Sequence, residues 1–408
     1  MAAIWAGRSG ARPIVLDGAR VLGAKILVSG GSRCNVTHDV VDERAFAGST
    51  TPAIRRVLRR FDVGRTVAFF ADLGVELKRE DTGKLFPVTD DAHTVLDALL
   101  KAARDAGAEI RHPWRVASVE RREDMFLLNG PAGEIVARRL ILATGGKSVP
   151  RSGSDGAGLA IARALGHSVT PRLVPALVGL TLAEGSFVRA LSGLSTDATI
   201  DVRSGTGKRL HTMTGSTLCT HFGLSGPAPM DVSRHWQVAR AEDPGVQLVV
   251  RWLPDATAES LDAALQALGG DTPLRLLSRD LPARLARALC DEAAVDAMTP
   301  GHVLTREHRR ALVRAVLDTP LPVTGTRGWN HAEATAGGIP LAEVRLDSME
   351  SRLASDLFLC GEMLDVDGRI GGYNFQWAWS SGYVAGRGAA GDRAAVLTAE
   401  GHASDVVD

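Results

Sequence analysis

Apolar and polar residues follow two periods along the chain, and the places where the period changes indicate its organisation. Ala2 to Gly10 has helical spacing, and Pro13 to Leu16 reads as a short buried strand that ends at Asp17. A helix, a strand and then an acidic residue form the second half of a βαβ unit. Further helices are predicted at Thr51 to Leu73 and Thr94 to Ala106. Further strands are predicted at Val116 to Val119, Met125 to Leu128 and Arg139 to Ala143. The first block is therefore α/β.

The pattern changes twice more before it returns to α/β. Short strands with turn residues run from about Leu173 to Val250, and helical spacing runs from about Thr257 to Leu317. A strand at Asp356 to Cys360 then precedes a helix from about Phe375 to Gly388. This order predicts an α/β, Rossmann-like nucleotide-binding domain interrupted by an inserted substrate domain. The expected boundaries are 1–172 and 336–393 for the nucleotide-binding domain, 173–335 for the insertion (β-rich at 173–253 and 318–335, helical at 254–317) and 394–408 for a frayed tail.

Composition and charge exclude several classes of protein. The 408 residues carry 47 Lys and Arg against 47 Asp and Glu, so the charge does not indicate a nucleic-acid partner. No apolar run is long enough to cross a membrane, and no signal peptide precedes the first helix, so we expect a cytoplasmic protein. The four cysteines, Cys34, Cys219, Cys290 and Cys360, lie far apart, which favours reduced thiols and argues against a metal site.

Glycines cluster in loops that follow apolar runs. The loop Ser29 to Asn35 offers backbone N–H groups together with the guanidinium of Arg33 and the amide of Asn35, which suit a phosphate or a heterocycle edge. Ala143 to Gly146 follows a strand, at the end where open α/β sheets bind ligands. Asp17 suits the carboxylate that binds an adenosine ribose, although an ordinary strand-end turn also explains it.

A pair of glycines, Gly371 and Gly372, stands directly before the predicted helix at Phe375. A helix that begins there directs N–H groups and a partial positive charge at whatever lies beyond it. Such an environment would favour negative charge on a ligand.

Four segments together resemble a known family: Ser29 to Asn35, Ala143 to Gly146, Thr220 to Pro227 and Gly361 to Ser381. They are similar, in order and over nearly the whole chain, to the bacterial FAD-binding flavoproteins described as aminoacetone oxidase-like NAD(P)/FAD-dependent oxidoreductases. The resemblance implies a Rossmann-like FAD-binding domain with a β-rich and helical insertion. Two positions depart from it, because Ser32 stands where a third glycine is usual and Cys219 where an aromatic residue is usual.

The resemblance also implies the contacts of FAD. Asp17 would bind the ribose, Val116 the adenine through its backbone, and Lys25 with the Ser29 to Asn35 loop would lie near the pyrophosphate and flavin. Glu362 and Asp367 would lie towards the ribityl chain. The full set of implied cofactor-binding residues is Asp17, Lys25, Ser29, Gly30, Gly31, Arg33, Cys34, Asn35, Val116, Ala143, Thr144, Gly145, Gly361, Glu362, Asp367, Gly371, Gly372, Tyr373, Asn374 and Phe375.

His221 is the candidate catalytic residue, since the resemblance implies that its segment faces the flavin and imidazole exchanges protons near neutral pH. The alternative is a hydrogen-bonded loop histidine. Cys34 could be redox-active, but a packed thiol is the better interpretation because no second cysteine lies nearby in sequence.

The leading functional hypothesis is an FAD-dependent oxidoreductase that moves hydride between a small-molecule substrate and flavin, with NAD(P)H as a transient donor or oxygen as acceptor. One alternative is a flavin-dependent reductase of a C=C bond, such as that of uridine in ribosomal RNA. Neutral charge argues against RNA, although Arg55, Arg56, Arg59, Arg60 and Arg65 could form a local basic face.

A third hypothesis concerns the start of the chain. Met1 already lies in the first predicted helix, so the strand and G-x-G-x-x-G turn of a complete βαβ unit are not in the sequence. We therefore expect a natural product longer by on the order of 12 to 20 residues. This chain would then bind FAD poorly, as a truncated and inactive form.

Overall fold

A computed structural model describes residues 1–391, so the predicted tail at 394–408 lies outside the described residues. The chain divides into two compact units. Unit 1 comprises Met1–Pro175 together with the chain from Glu333 onward, and unit 2 comprises Ala176–Ala332.

Helices occur in both units. Their bounds are α1 (Ala2–Arg8), α2 (Ala24–Val28), α3 (Thr51–Leu58), α4 (Val63–Asp72), α5 (Ala92–Asp105), α6 (Ala157–Ala164), α7 (Phe187–Ala190), α8 (Pro227–Arg240), α9 (Ala258–Gln266), α10 (Pro273–Leu277), α11 (Ala283–Glu292), α12 (Arg306–Leu317) and α13 (Tyr373–Ala390).

Most strands are short, and the two longest lie in unit 2. Those up to Ala176 are β1 (Ile14–Leu16), β2 (Thr37–His38), β3 (Phe46–Gly48), β4 (Leu77–Arg79), β5 (Lys84–Pro87), β6 (Glu109–Arg111), β7 (Ser118–Arg122), β8 (Met125–Gly130), β9 (Gly133–Ala137), β10 (Leu140–Leu142) and β11 (Val174–Ala176). Those of unit 2 are β12 (Leu180–Leu182), β13 (Ser195–Arg203), β14 (Arg209–Thr220), β15 (Gly223–Ser225), β16 (Gln247–Arg251), β17 (Thr319–Leu321) and β18 (Val323–Thr326). The remaining strands are β19 (Ala334–Ala336), β20 (Val344–Arg345), β21 (Glu350–Ser351), β22 (Leu357–Leu359) and β23 (Val366–Gly368).

Unit 1 contains two parallel strand pairs, as expected of a Rossmann-like domain. Strand β1 pairs with β6, and β10 pairs with β22 in a four-stranded sheet of order β10-β22-β21-β20. Antiparallel sheets β2-β5-β4, β7-β8-β9 and β23-β3 surround them. Helix α13 packs against α1 through small residues, since a Cβ at Gly386 would lie 2.3 Å from the Ala2 carbonyl oxygen.

Unit 2 is built on a seven-stranded antiparallel sheet of order β17-β16-β13-β14-β15-β12-β18. Helices α8 to α12 contribute to its core together with the sheet, and the core includes the fully buried Trp252, Leu265 and Leu289. The described residues include no helix that is long and apolar enough to cross a membrane.

Two local predictions were wrong. Thr51 to Leu73 is two helices, because the side chain of Asp62 accepts a hydrogen bond from Arg65 N–H at 2.9 Å and starts α4 as a new helix. The segment from about Leu173 to Val250 is β-rich as expected, but its strands β13 and β14 have nine and twelve residues instead of being short, and it also holds the helix α8. Helix α8 buries the polar Asp231 and Ser233 beside its apolar residues, which weakens its amphipathic pattern in the sequence.

Candidate cofactor and substrate sites

The ends of two neighbouring parallel strands form the centre of the candidate cofactor site. Because β10 and β22 run parallel, Ala143 and Thr144 leave the sheet at the same edge as Gly361 and Glu362. Ala143 and Thr144 are exposed. Gly361 has a φ of +77°, and a Cβ there would meet nothing within 4 Å. The edge therefore offers backbone that a ligand can approach closely.

Lys25, Ser148 and Glu362 form a polar cluster at this edge. The ammonium of Lys25 lies 3.1 Å from Glu362 Oε2 and also donates to Ser148 Oγ. Ser148 Oγ donates to Glu362 Oε1 at 2.6 Å. Thr335 Oγ1 accepts from the backbone N–H groups of Lys147 and Ser148 at 2.8 and 3.1 Å, which fixes the loop. Sequence reasoning included Lys25 and Glu362 but missed Ser148 and Thr335.

The loop from Ser29 to Asn35 has an unusual backbone. Gly30, Gly31, Ser32 and Cys34 have φ values of +56°, +68°, +67° and +60°. Ser32 thus adopts a conformation that favours glycine, which gives a physical reason for the third glycine that the resemblance leads us to expect there. A Cβ at Gly31 would meet nothing within 4 Å, so the loop is open on that side.

Arg33 and Cys34 make contacts that stabilise this loop. The guanidinium of Arg33 lies 4.0 Å from the centre of the Phe86 ring and 2.6 Å from Glu80 Oε1. Cys34 is fully buried, and burial raises the pKa of its thiol to about 12. A thiol with such a pKa stays protonated near neutral pH, so Cys34 is a packed thiol and a poor nucleophile.

Asp17 and Val116 lie beside short strands of unit 1, and the Asp17 side chain contacts its own turn. Asp17 directly follows β1, and its Oδ1 accepts from Ala19 N–H at 2.7 Å in a turn. Val116 is half-buried, two residues before β7 begins. The contacts of Asp17 agree with the ordinary strand-end turn and leave its second carboxylate oxygen available.

The Gly371–Gly372 turn opens α13 with φ values of +119° and +96°. A Cβ at Gly372 would lie 2.5 Å from the carbonyl carbon of Thr37. A side chain at position 372 would therefore collide with the protein's own backbone. Asn374 closes the turn, since its side chain donates to Gly368 O at 3.0 Å and accepts from Gly368 N–H at 2.9 Å.

Aromatic rings support the beginning of α13. Tyr373 stacks on His38 with ring centres 5.1 Å apart, and Phe375 stacks on Trp379 with ring centres 5.3 Å apart. Asp367 lies in β23 and is buried.

Two buried polar atoms test whether this site suits FAD. Asn35 Oδ1 and Ser154 Oγ make no hydrogen bond to the described residues, although both residues are buried. Ser154 lies beside Gly145, where a Cβ would be 2.8 Å from Ser154 Oγ. Buried polar atoms are normally hydrogen-bonded, so each suggests a ligand contact. Asn35 lies in the loop implied to meet the pyrophosphate and flavin, and Ser154 lies beside Gly145, which the resemblance also implies to bind the cofactor. The residues present therefore fit the cofactor.

His221 belongs to unit 2, in the two-residue turn between β14 and β15. Its imidazole is exposed and lies edge-on to Phe222, with ring centres 5.2 Å apart. Its carbonyl oxygen accepts from Arg189 Nε at 2.7 Å, but its ring makes no hydrogen bond to any described residue. The alternative prediction, a loop histidine held by hydrogen bonds of its ring, therefore has no support from the contacts of the described residues.

The fold and the strand-end site define a Rossmann-type protein with an open, glycine-lined edge for a nucleotide cofactor. The HI0933-like protein Rossmann domain matches residues 1–388, and the chain belongs to that family. The protein is an FAD-dependent oxidoreductase.

Curated relatives match almost the whole chain. It is 35% identical over 396 residues to the 3-dehydro-bile acid delta(4,6)-reductase of Clostridium scindens, covering 96% of each protein. It is 31% identical over 383 residues to the ribosomal RNA dihydrouridine synthase of Escherichia coli, covering 93% of this chain and 92% of the relative. Among solved structures, a quinol-fumarate reductase with menaquinol molecules is similar at a TM-score of 0.47 and 14% identity, covering 99% of this chain and 70% of that one.

Proposed function

We propose that the protein reduces a C=C bond conjugated to a carbonyl group in a small molecule, with NAD(P)H as the electron donor. The observation that carries the proposal is the pair of relatives, each matched over more than nine tenths of this chain. One is named for reducing the double bonds of a 3-oxo steroid, and the other for converting uridine to dihydrouridine. In both substrates the reduced bond is conjugated to a carbonyl.

Unit 1 would hold FAD, which supplies the hydride when it is bound and reduced. Lys25 would offer a positive charge to the pyrophosphate, since it lies at the strand-end edge with its ammonium partly exposed. Asn35 Oδ1 would accept a hydrogen bond from the cofactor, and the turn at Gly372 would direct N–H groups towards the pyrimidine ring of the flavin, which carries negative charge when reduced.

His221 would donate the proton that completes the reduction. Its exposed imidazole has no hydrogen-bond partner on the ring in the described chain, so it is available to exchange protons with substrate or water.

Ribosomal RNA is the less favoured substrate because the candidate basic face is largely neutralised. Arg55 lies 2.5 Å from Glu43 Oε1, while Arg56 and Arg60 both pair with Asp347. With a net charge of 0 overall, little remains to attract a phosphate backbone. A cytoplasmic location suits either substrate.

The test is an anaerobic two-step assay on the FAD-loaded protein. NADH and NADPH are compared for bleaching of the flavin band, and the reduced protein is then mixed with a cyclic enone, the matching saturated ketone, an isolated alkene or a ribosomal RNA fragment. We expect reoxidation by the enone alone. Reoxidation by the RNA fragment but not by the enone, or by none of the four, would reject the proposal.

Two substitutions test the assigned residues. Lys25→Met should weaken FAD retention at least about tenfold, because a charge-assisted contact is lost. Lys101→Met is the matched control, since Lys101 forms an exposed ion pair with Asp105 in α5 and should leave retention unchanged. His221→Ala should retain FAD and its reduction by NAD(P)H but slow enone turnover by roughly 10²- to 10⁴-fold. Unchanged turnover would make His221 a structural residue.

A further inference from the structure

Unit 2 has a depression on its surface that is bordered by α7, α10 and α11. Its volume is about 280 Å³, and the residues that line it are Ala190, Leu191, Leu274, Ala283, Arg284 and Arg287. All of them lie within Ala176–Ala332, so the depression belongs to a single compact unit. We refer to it as the α11 depression.

Helix α11 divides its side chains between the core of unit 2 and this depression. The buried side of the helix consists of Leu285, Ala286, Leu289 and Cys290. Ala283, Arg284 and Arg287 are exposed instead. The two arginines are three residues apart, so their side chains leave the same face of the helix. The short side chains of Ala190 and Ala283 leave space beside them.

The charge of these arginines is not neutralised by an ion pair with any carboxylate of residues 1–391. Arg284 Nη2 donates to Ala190 O at 3.1 Å, which is its only side-chain hydrogen bond to a described residue, and the Arg287 side chain makes none. Asp271, just before α10, is already paired with Arg275 at 3.0 Å. Most N–H donors of the two guanidinium groups are therefore available to a ligand.

Apolar side chains form the other part of the lining. Leu191 is buried in the core of unit 2, and the half-buried Leu274 packs against the same core. A volume of about 280 Å³ corresponds to about nine waters at ~30 Å³ each, and an apolar ligand would release them from this surface. The volume is near the lower end of the roughly 300–1,000 Å³ of small-molecule pockets, which favours a small ligand.

We propose that the α11 depression binds a small amphipathic carboxylate, with the carboxylate on Arg284 and Arg287 and the hydrocarbon part against Leu191 and Leu274. A guanidinium fork matches the two oxygens of a carboxylate. An anion without a hydrocarbon part would leave the leucines in water, and a neutral hydrocarbon would leave the arginines without a partner. This site lies in unit 2 alone and does not depend on the proposed function.

Three probes separate the two parts of this ligand: octanoate, the neutral octanamide of the same chain length, and acetate, which lacks the chain. Calorimetry is carried out on the full FAD-loaded chain, so that the cofactor site is occupied. We expect octanoate to bind at least about tenfold more tightly than octanamide, because a charge-assisted contact is added, and more tightly than acetate, because apolar surface is buried.

Substitutions at the lining residues test each contact. The double variant Arg284→Met, Arg287→Met should bind octanoate and octanamide equally, while Arg287→Lys should keep part of the preference for octanoate. Ala283→Leu fills the depression from an exposed position and should weaken the binding of octanoate without changing that of acetate.

Arg240→Met is the matched control, because Arg240 is exposed in the same unit and, like Arg284, donates to one backbone carbonyl, Pro244 O at 3.3 Å. This variant should bind octanoate as the parent protein does. Modification by the arginine reagent phenylglyoxal, followed by peptide mass spectrometry, locates the site independently. Octanoate should protect Arg284 and Arg287 but not Arg240.

Four outcomes would overturn the assignment. Equal binding of octanoate and octanamide by the parent protein would make the depression an apolar patch only, and equal binding of octanoate and acetate would make it an anion patch only. A preference for octanoate that survives in the double variant, or modification of Arg284 and Arg287 that octanoate does not slow, would place the bound carboxylate elsewhere.

Discussion

Gln376 makes a buried hydrogen-bond network whose disruption we expect to destabilise unit 1 strongly. It is 1% exposed. Its Oε1 accepts from Thr37 Oγ1 at 2.7 Å and from Thr66 Oγ1 at 3.0 Å. Its Nε2 donates to Phe61 O at 2.8 Å and to Ser380 Oγ at 3.2 Å. The amide therefore joins α13 to β2, α4 and the chain before α4.

The cost of Gln376→Leu follows from what each partner retains. Thr66 Oγ1 still donates to Asp62 O, and Phe61 O still accepts from Ser380 Oγ. Thr37 is fully buried and loses the only hydrogen bond that its hydroxyl makes within residues 1–391, which costs about 1–3 kcal/mol. The other exchanged bonds add to this cost. We expect a loss of roughly 2–4 kcal/mol in the free energy of unfolding.

A double-mutant cycle tests this reasoning by urea unfolding, followed by circular dichroism at a fixed FAD concentration. Thr37→Val alone should cost about 0.5–1.5 kcal/mol, because Gln376 Oε1 keeps its bond from Thr66. Adding Thr37→Val to Gln376→Leu should cost nothing further, since it removes the unsatisfied hydroxyl. Strictly additive losses would refute the account.

Three further predictions concern backbone strain and pH. Gly372→Ala should lower the free energy of unfolding by about 1–3 kcal/mol more than Gly371→Ala, because both strain a positive φ but only the first meets the Thr37 backbone; equal losses in urea would contradict this. Ser32→Gly should leave FAD retention intact and raise the thermal midpoint slightly, since glycine relieves a strain of about 1–2 kcal/mol but adds unfolded-state entropy; a lowered midpoint would argue against strain there. Burial, with the neighbouring His211 and Arg234, lowers the pKa of His235 from 6.5 to about 3. Below pH 6.5 the unfolded chain therefore binds a proton that the folded chain does not, and stability should fall by up to about 1.4 kcal/mol per pH unit. His235→Gln should flatten this decline between pH 7.5 and 5, and an unchanged slope would contradict the low pKa.

The fold class and several elements could be predicted from sequence because hydrophobic periodicity is a local property of the chain. The strand after Arg139, the strand at Asp356 and the helix near Phe375 lie where their patterns indicate. The division of Thr51 to Leu73 could have been found as well, since Asp62 is a residue type that favours the start of a helix.

Contacts between distant segments could not be predicted in this way. Ser148 and Thr335 are 187 residues apart in sequence and hydrogen-bond only after folding. Likewise, the sequence indicates that Gly372 needs a glycine but not what approaches it. The atoms nearest to a Cβ at that position belong to the backbone of Thr37.

Helix α13 explains how so many loops can be held in one arrangement at the candidate cofactor site. Trp377 Nε1 donates to Gly361 O at 3.1 Å, and Ser381 Oγ accepts from Gly361 N–H at 2.9 Å, which fixes the end of β22. Trp379 Nε1 donates to Val36 O at 2.8 Å, directly after the loop that ends at Asn35. One helix thus anchors the strand end, the glycine loop and its own N-terminal turn. Backbone fixed in this way needs little reordering when a ligand binds, so we expect the packing of α13 to contribute to the affinity of the candidate cofactor site.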